Sequence, residues 1–170
     1  MGISFYLLYT FYGHYYIEGV GYAGIQDILT GTLTSFEILF LLFILKLAAT
    51  SITLGSGGSG GIFSPSLFLG ATIGGAYGMV LKHAFPGLSI DPAAFAVAGM
   101  AGMVGGATGA AIMAIIMIFE MTLDYNVIVP MVITVIAAYG TRKALSKESI
   151  YTLKLARRGH HVPETLHRSE

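Results

Sequence analysis

Cysteine is absent from this chain of 170 residues, and charged residues make up only 11% of it. Without cysteine there is no disulfide framework and no thiolate chemistry. So little charge excludes an ordinary soluble domain over residues 35–141. The charged residues in that range are Glu37, Lys46, Lys82, Asp91, Glu120 and Asp124. A hydrophobic fraction of 55% and a mean hydropathy of +0.75 predict instead a multi-pass membrane protein surrounded by lipid.

The formal net charge of zero hides an uneven distribution of cations. Most of the lysines and arginines lie at the end of the chain: Arg142, Lys143, Lys147, Lys154, Arg157, Arg158 and Arg168. By the positive-inside rule this predicts a cytoplasmic C-terminus. The expected location is a prokaryotic plasma membrane. A short basic tail is explained by topology and anionic lipid, so nucleic acid is not an expected partner. The N-terminus has no basic flank or A-x-A site and is not interpreted as a signal peptide.

Apolar stretches separated by glycine-rich breaks predict an all-α transmembrane bundle with broken, tilted helices. Residues 1–158 form this membrane part, and residues 159–170 form a hydrophilic tail or linker. The predicted elements are the end of a helix at Ile3–Tyr16, a connector at Gly19–Thr32, helices at Glu37–Leu54, Ser64–Leu81 and Tyr125–Ala144, and a short amphipathic helix at Ser149–Arg158. Pro92–Glu120 is predicted as two half-length helices because glycines crowd its centre. Paired broken segments of this kind indicate a transport site near the middle of the membrane.

The run Gly55–Pro65, GSGGSGGIFSP, carries no acidic residue and leads into a predicted helix start. The first amides of a helix lack internal partners and lie at the positive end of the helix dipole. Ser64 is the predicted cap and Pro65 suits the first turn. Preceding glycines let a ligand approach the backbone closely. We therefore predict an anion site at the amides of Ile62 and Phe63.

Two other interpretations of the glycine run are less consistent with the residues around it. GSGGSG formally matches the dinucleotide fingerprint G-x-G-x-x-G, but that fingerprint needs a preceding strand and an acid about 20 residues further on. Here an apolar run of helix length precedes the glycines, and residues 62–83 contain no acid. A flexible linker fits the glycines themselves but not the flanking spans and the IFSP helix start.

At these residues the chain resembles the CLC family of chloride channels and proton-coupled chloride transporters. The family signature G-x-F-x-P is present as Gly61, Ile62, Phe63, Ser64 and Pro65. Further similarity lies in AVAGMAGMVGGATGAAIMAIIMIFEMT, YNVIVPMVIT and SIYTLKLARRG, so that it covers about residues 18–160. The resemblance implies a central chloride held by the Ile62 and Phe63 amides and by the hydroxyl of Tyr151. It also implies an all-helical fold of two inverted halves and a homodimer with one pore per subunit.

The family's first half, with its serine-containing anion loop and gating and proton glutamates, has no counterpart here. Neither a G-K/R-E-G-P nor a G-S-G-x-P stretch occurs. The chain therefore resembles the C-terminal half of a membrane domain, which needs the N-terminal half for a full pore. Ala111 replaces a proline that often begins the corresponding helix. The tail resembles the lead-in to a cytoplasmic CBS pair, so truncation at both ends is expected.

Several single residues have a structural and a functional interpretation. Tyr151 without the family match is an interfacial anchor, and Ser149 is positioned to cap the helix that Tyr151 begins. Lys46 in an apolar segment marks either function or structural pairing. Glu120 is more consistent with bonding to backbone amides than with transport. The tail histidines match no metal spacing, and the glycine rows Gly70–Gly78 and Gly102–Gly109 predict close helix packing.

The predicted function is chloride transport, with chloride as the bound substrate and no cofactor. A channel and a chloride/proton exchanger both remain open, because the glutamates that distinguish them lie outside the chain. A non-conducting fragment that packs, dimerises or regulates within a larger transporter is the alternative from another class. An intramembrane enzyme is disfavoured because the spans contain no serine–histidine pair, aspartate pair or histidine cluster.

Overall fold

The computed structural model describes residues 21–33, 35–57, 60–146 and 148–153, and these residues contain helices and no strands. The predicted segment at Ile3–Tyr16 and the whole of the predicted tail, residues 159–170, lie outside the described residues. The helices are α1 (Tyr22–Leu29), α2 (Phe36–Gly55), α3 (Phe63–Ala84), α4 (Pro92–Thr108), α5 (Ala111–Thr122) and α6 (Ile128–Leu145), with a 3₁₀ turn at Tyr125–Val127 before α6. The predicted all-α class is confirmed.

The break predicted within Pro92–Glu120 is confirmed and lies at Gly109. Asp91 begins α4, because its carboxylate accepts a hydrogen bond from the Ala93 amide (3.0 Å). Gly109 ends it with a left-handed conformation, φ 78°, which glycine adopts without strain. The hydroxyl of Thr108 then accepts a hydrogen bond from the Ala110 amide (3.2 Å) just before α5. Each half is shorter than the roughly 20 residues that span a bilayer.

Three predicted helix boundaries differ from the structure. Ser64 does not cap α3: Ile62 holds the cap position, and Ser64 is the second residue of the helix. Pro65 does lie in the first turn, where the lack of an N–H costs no helical hydrogen bond. The polar break predicted from Lys82 is shorter, because α3 continues to Ala84. The helix predicted at Tyr125–Ala144 begins with a 3₁₀ turn, which places Pro130 in the first turn of α6.

Helices α3 and α4 form the centre of the bundle and cross through glycine. A Cβ on Gly70 would overlap the Gly99 carbonyl, and one on Gly74 would overlap the Phe95 carbonyl. A Cβ on Gly78 would lie 2.8 Å from Cα of Pro92. The contact therefore runs antiparallel, since residues later in α3 meet residues earlier in α4. This confirms the packing role predicted for the row Gly70–Gly78.

Helix α6 packs against another face of α4 in the parallel direction. A Cβ on Gly102 would lie 2.7 Å from Cγ2 of Thr134, and one on Gly106 would lie 3.4 Å from Cβ of Ala138. The second predicted glycine row thus also mediates packing. Since α3 is antiparallel to α4 and α6 is parallel to it, the first turn of α3 and the last turns of α4 and α6 lie at one end of the bundle. We call this end the signature end.

By length and composition, three helices of the described part could cross a membrane: α2, α3 and the segment from Tyr125 to Leu145. Over half of the apolar window of α3 is buried, compared with 17% for each of the other two. Helix α3 is therefore the inner span, and its neighbours present apolar side chains outward. Lys46, on the inner face of α2, is buried with Leu39 and Leu42.

Candidate functional site

The connection between α2 and α3 has an open backbone. Helix α2 ends at Gly55, and Gly57 follows in the left-handed conformation with φ 81°. Its amide donates a hydrogen bond to the Leu54 carbonyl (3.3 Å). No described atom lies within 4 Å of the position that a Cβ would occupy on Gly57 or Gly61. A ligand can therefore approach this backbone without meeting a side chain, as the glycine run predicts.

Residues Gly61–Pro65, which we call the signature turn, begin α3. The Ile62 carbonyl accepts hydrogen bonds from the Ser66 amide (3.1 Å) and the Ser66 hydroxyl (2.9 Å), which hold the turn in place. The Phe63 side chain packs against the buried core. Within the described residues, the amides of Ile62 and Phe63 have no hydrogen-bond partner. Two donors at the positive end of a helix dipole are thus available to an anion.

Tyr151 lies on the segment that follows α6, and its side chain is 53% exposed. The preceding residue anchors the segment, because the Ile150 amide donates to the Ala107 carbonyl (3.1 Å) in the last turn of α4. Ser149 caps the next turn as predicted: its hydroxyl accepts from the Thr152 amide (3.3 Å). The Thr152 hydroxyl in turn accepts from the Ser149 amide (2.9 Å). The rest of the amphipathic helix predicted at Ser149–Arg158 lies outside the described residues.

The fold brings Tyr151 and the signature turn to the same end of the bundle. Ala107 lies in the last turn of α4 and holds the Tyr151 segment, while the antiparallel α3 begins at that end. No hydrogen bond joins Tyr151 to the signature turn in the described part of the chain. The two parts of the predicted site therefore share an end, and they are not in direct hydrogen-bond contact.

A second helix start lies at the signature end. Helix α5 begins at Ala111, and a Cβ on Gly105 would lie 3.7 Å from Cα of Ala111 and 3.5 Å from Cβ of Ala114. The helix begins without a side-chain cap. Its positive end therefore lies at the same end of the bundle as that of α3. The sequence indicates this helix start, but the packing beside α4 follows only from the fold.

Arg142 is the functional candidate that the sequence does not single out. It belongs to the basic C-terminal region by composition, yet its Nη2 lies 3.1 Å from the position of a Cβ on Gly109. That same position lies 3.6 Å from Cβ of Ser149. A contact between residues 33 positions apart has no periodic signal in a sequence, so only the tertiary structure could identify it.

The other ionisable candidates lie away from the signature turn or outside the described residues. Lys46 is buried, and its Nζ lies 5.3 Å from the centroid of the Phe68 ring, within the range of a cation–π interaction. Glu120 is exposed and makes no hydrogen bond to a backbone amide in the described residues, unlike the structural bonding expected for it. The described residues contain no cluster suited to a metal ion. The histidines of the tail lie outside them.

Comparison with known proteins gives consistent matches. The family model for voltage gated chloride channels matches residues 1–143. The chain is 39% identical over 141 residues to the H(+)/Cl(-) exchange transporter ClcA of Vibrio parahaemolyticus, covering 83% of this chain and 30% of that protein. It is 39% identical over 117 residues to a ClcB-like chloride channel protein of Ralstonia nicotianae, covering 69% of this chain and 27% of that one.

The structure also resembles a crystal structure of a slow cyanobacterial Cl-/H+ antiporter, with a TM-score of 0.67 and 35% identity. That match covers 73% of this chain and 29% of the antiporter. The chain thus spans less than a third of the length of the relatives it matches. These relatives are transporters and channels rather than enzymes, in agreement with the sequence analysis. Together, the family match, the signature turn at the start of α3 and the membrane-length helices establish the chain as an integral membrane protein of the CLC (voltage gated chloride channel) family.

Proposed function

We propose that this chain forms part of a chloride transport pathway and that its anion-binding residues are Gly61, Ile62, Phe63, Ser64, Pro65 and Tyr151. The observation that carries the proposal is the pair of amides at the start of α3, Ile62 and Phe63, without hydrogen-bond partners in the described structure. They lie at the start of a membrane-length helix, after an open glycine-rich turn. The relatives of this chain carry the names of chloride channels and transporters.

Neutral donors suit rapid transport better than a fixed charge at the centre of a pathway. Amide and hydroxyl dipoles replace part of the water around the anion, yet bind it weakly enough for a second ion to displace it. A lysine or arginine at the same place would hold the anion more tightly and slow its exit. The signature turn itself contains no acidic or basic side chain, and residues 62–81 contain none either. We infer that selectivity for an anion comes from the oriented backbone.

We propose that Tyr151 adds a hydroxyl donor to this site. The Ile150–Ala107 hydrogen bond holds the segment at the signature end, and Ser149 caps the turn that Tyr151 begins. Half of the Tyr151 side chain is exposed in the described structure, so its hydroxyl is free to face a pathway. The remaining donors would come from the part of the relatives that this chain does not span. We therefore propose a complete pore only for an assembly that contains an N-terminal half.

The relatives support both transport mechanisms. Two of them carry the names of proton-coupled exchangers, and one that of a channel. We propose proton-coupled exchange, in a homodimer with one pore in each subunit and contacts through the late helices. The membrane is proposed to be a bacterial plasma membrane with the C-terminus in the cytoplasm, since the relatives are bacterial and the basic residues cluster after Arg142. A non-conducting, structural fragment of a transporter is the competing function.

Bromide offers a direct test of the anion site, because it substitutes for chloride and scatters anomalously. Crystals of the complete transporter soaked in bromide are expected to show an anomalous peak within hydrogen-bond distance of the Ile62 and Phe63 amides. The control is a crystal soaked at the same ionic strength in an anion that gives no anomalous signal at the wavelength used for bromide. Bromide peaks elsewhere in the pathway with none at the signature turn would contradict the proposed site.

A further inference from the structure

Arg142 places a cation at the signature end, and within the described residues no ion pair neutralises it. Its guanidinium lies against Gly109, where a Cβ would lie 3.1 Å from Nη2 and 3.6 Å from Cβ of Ser149, two residues before Tyr151. The Tyr139 ring, one turn earlier on α6, lies 5.1 Å from the guanidinium carbon. This cation–π contact restricts the orientation of the guanidinium.

The donors of this guanidinium are not satisfied within the described part of the chain. Nε is buried and has no hydrogen-bond partner, and the side chain forms no hydrogen bond or ion pair there. A buried donor without a partner costs free energy comparable to a lost hydrogen bond. An arginine presents five N–H donors in a planar fork, a geometry suited to anions. These observations point to an anionic ligand for Arg142.

We propose that Arg142 forms a second anion-binding site at the signature end, where a permeating halide is held before or after it occupies the site at Ile62, Phe63 and Tyr151. We call it the outer site because it lies outside the signature turn, without reference to the side of the membrane. This inference rests on the proposed chloride pathway and adds a second station to it. Gly109 lets the guanidinium approach the backbone closely, because its left-handed backbone carries no side chain and a Cβ there would lie 3.1 Å from Nη2. The start of α5, without a side-chain cap, contributes its positive end to the same region.

A full charge is useful at an outer site, although it would be unfavourable at the centre. Clefts lined by charge of one sign raise the local concentration of the opposite ion and its rate of entry. The guanidinium is only partly buried, so water screens it and limits how tightly it holds the halide. Arg142 would thus collect anions, while the neutral donors at the signature turn select them.

The same chemistry could be supplied by a carboxylate from the part of the transporter outside this chain. Both ligands are anions and would satisfy the same donors, but they predict different behaviour. A halide exchanges with solution, so its occupancy depends on concentration and it is replaced by bromide. A carboxylate is fixed, so bromide finds no place at Arg142 and removal of the arginine leaves a buried acid unpaired.

The test uses the complete transporter in proteoliposomes, with chloride flux measured against chloride concentration for Arg142→Gln. We expect the half-saturating chloride concentration to rise by about fivefold or more, since a charge-assisted contact is lost, while the maximal rate is largely retained. Arg142→Lys, which keeps the charge, is expected to restore most of the apparent affinity. In bromide-soaked crystals we expect a second anomalous peak at the Arg142 guanidinium.

Two matched controls remove a positive charge elsewhere. Lys143→Gln changes the neighbouring residue at the same end, and Lys82→Gln changes an exposed residue at the opposite end of the bundle. An equal effect of Lys143→Gln and Arg142→Gln would overturn the inference, because it would indicate a general surface potential. An unchanged half-saturating concentration in Arg142→Gln would do the same.

The bromide experiment remains decisive if Arg142→Gln does not fold, because it uses the unmodified protein. Bromide at the signature turn but not at Arg142 overturns the outer site and leaves the proposed transport function intact. Bromide at neither place contradicts both. A carboxylate seated on the guanidinium in the complete structure also overturns the outer site.

Discussion

In Phe63 the side chain and the backbone amide have different roles. Its side chain packs against the core, and its amide has no hydrogen-bond partner within the described residues, so the proposed site depends on the residue type for placement and on the amide for binding. Tyr151 is the opposite case, because only its side-chain hydroxyl could reach an anion.

Tyr151→Phe removes that hydroxyl and keeps the ring. In the complete transporter we expect chloride to bind about two- to tenfold more weakly, since one hydrogen bond contributes roughly 0.5–1.5 kcal/mol. Phe63→Leu is the control, because it keeps the amide and an apolar side chain, and its chloride affinity should stay near that of the unmodified protein. Isothermal titration with chloride measures both. Equal affinities for Tyr151→Phe and the unmodified protein would remove the hydroxyl from the proposed site.

Lys46 on α2 is buried, and its Nζ lies 5.3 Å from the centroid of the Phe68 ring. Lys46→Glu would set a carboxylate against the negative face of that ring and lose a cation–π contact of up to about 2 kcal/mol. We expect a clear loss of thermal stability and of folded yield in detergent, measured by size-exclusion chromatography after heating. Lys46→Met has a similar length without charge and should retain more folded protein. Equal yields for the two variants would show that the charge on this side chain is irrelevant to folding.

At the scale of elements, the bundle depends on glycines that allow backbones to touch. Helices α3 and α4 approach so closely at Gly70, Gly74 and Gly99 that a methyl group would overlap a carbonyl of the facing helix. Backbone atoms cannot yield as a flexible side chain can. Small residues at such crossings are the main route to close packing in lipid, where the hydrophobic effect between helices is lost.

Gly74→Ala tests this crossing, because its Cβ would overlap the Phe95 carbonyl. We expect the free energy of unfolding to fall by about 1–3 kcal/mol, the usual cost of overpacking. Gly140→Ala in α6 is the matched control: no described atom lies within 4 Å of its Cβ position, and alanine favours a helix by about 0.5–1 kcal/mol. Denaturation in mixed micelles measures both variants. A Gly74→Ala protein as stable as Gly140→Ala would contradict the observed helix crossing.

At the scale of the whole molecule, the described helices form only part of the proposed chloride pathway. The signature turn, the start of α5 and the Tyr151 segment meet at one end, and the chain spans less than a third of its relatives' length. The proposed function therefore belongs to an assembly, and its mechanism is decided by ion coupling measured on that assembly.

Reversal potentials distinguish an exchanger from a channel. With the complete transporter in a planar bilayer under a chloride gradient, we expect the reversal potential to shift when a proton gradient is imposed, because exchange couples the two ions. The same membrane without a pH gradient is the control. A reversal potential that depends on chloride alone would indicate an uncoupled channel. We expect liposomes that contain this chain alone and are loaded with isotopic chloride to release no more chloride than protein-free liposomes loaded in the same way.

Much of this architecture was predictable because apolar length and glycine are local signals. The run at Glu37–Leu54 predicted α2 to within one residue at each end, and the glycines of Pro92–Glu120 predicted the break that Gly109 makes. Boundaries that depend on competition between neighbours were predicted less well. Ser64 has the chemistry of a cap, yet Ile62 takes that place because the chain turns into the helix earlier.

The membrane setting, the helix class, the family and the signature turn all follow from the order of residues, because hydropathy, chain reach and free helix amides are properties of short segments. Which helix faces which, and in what direction, depends on contacts between distant residues. Only the folded bundle brings Ile150 to Ala107 and Arg142 to Gly109, and so places at one end the Tyr151 segment, two helix starts and a guanidinium whose Nε has no partner within the described residues. Such proximity arises from packing through α4, and no periodicity along the chain encodes it.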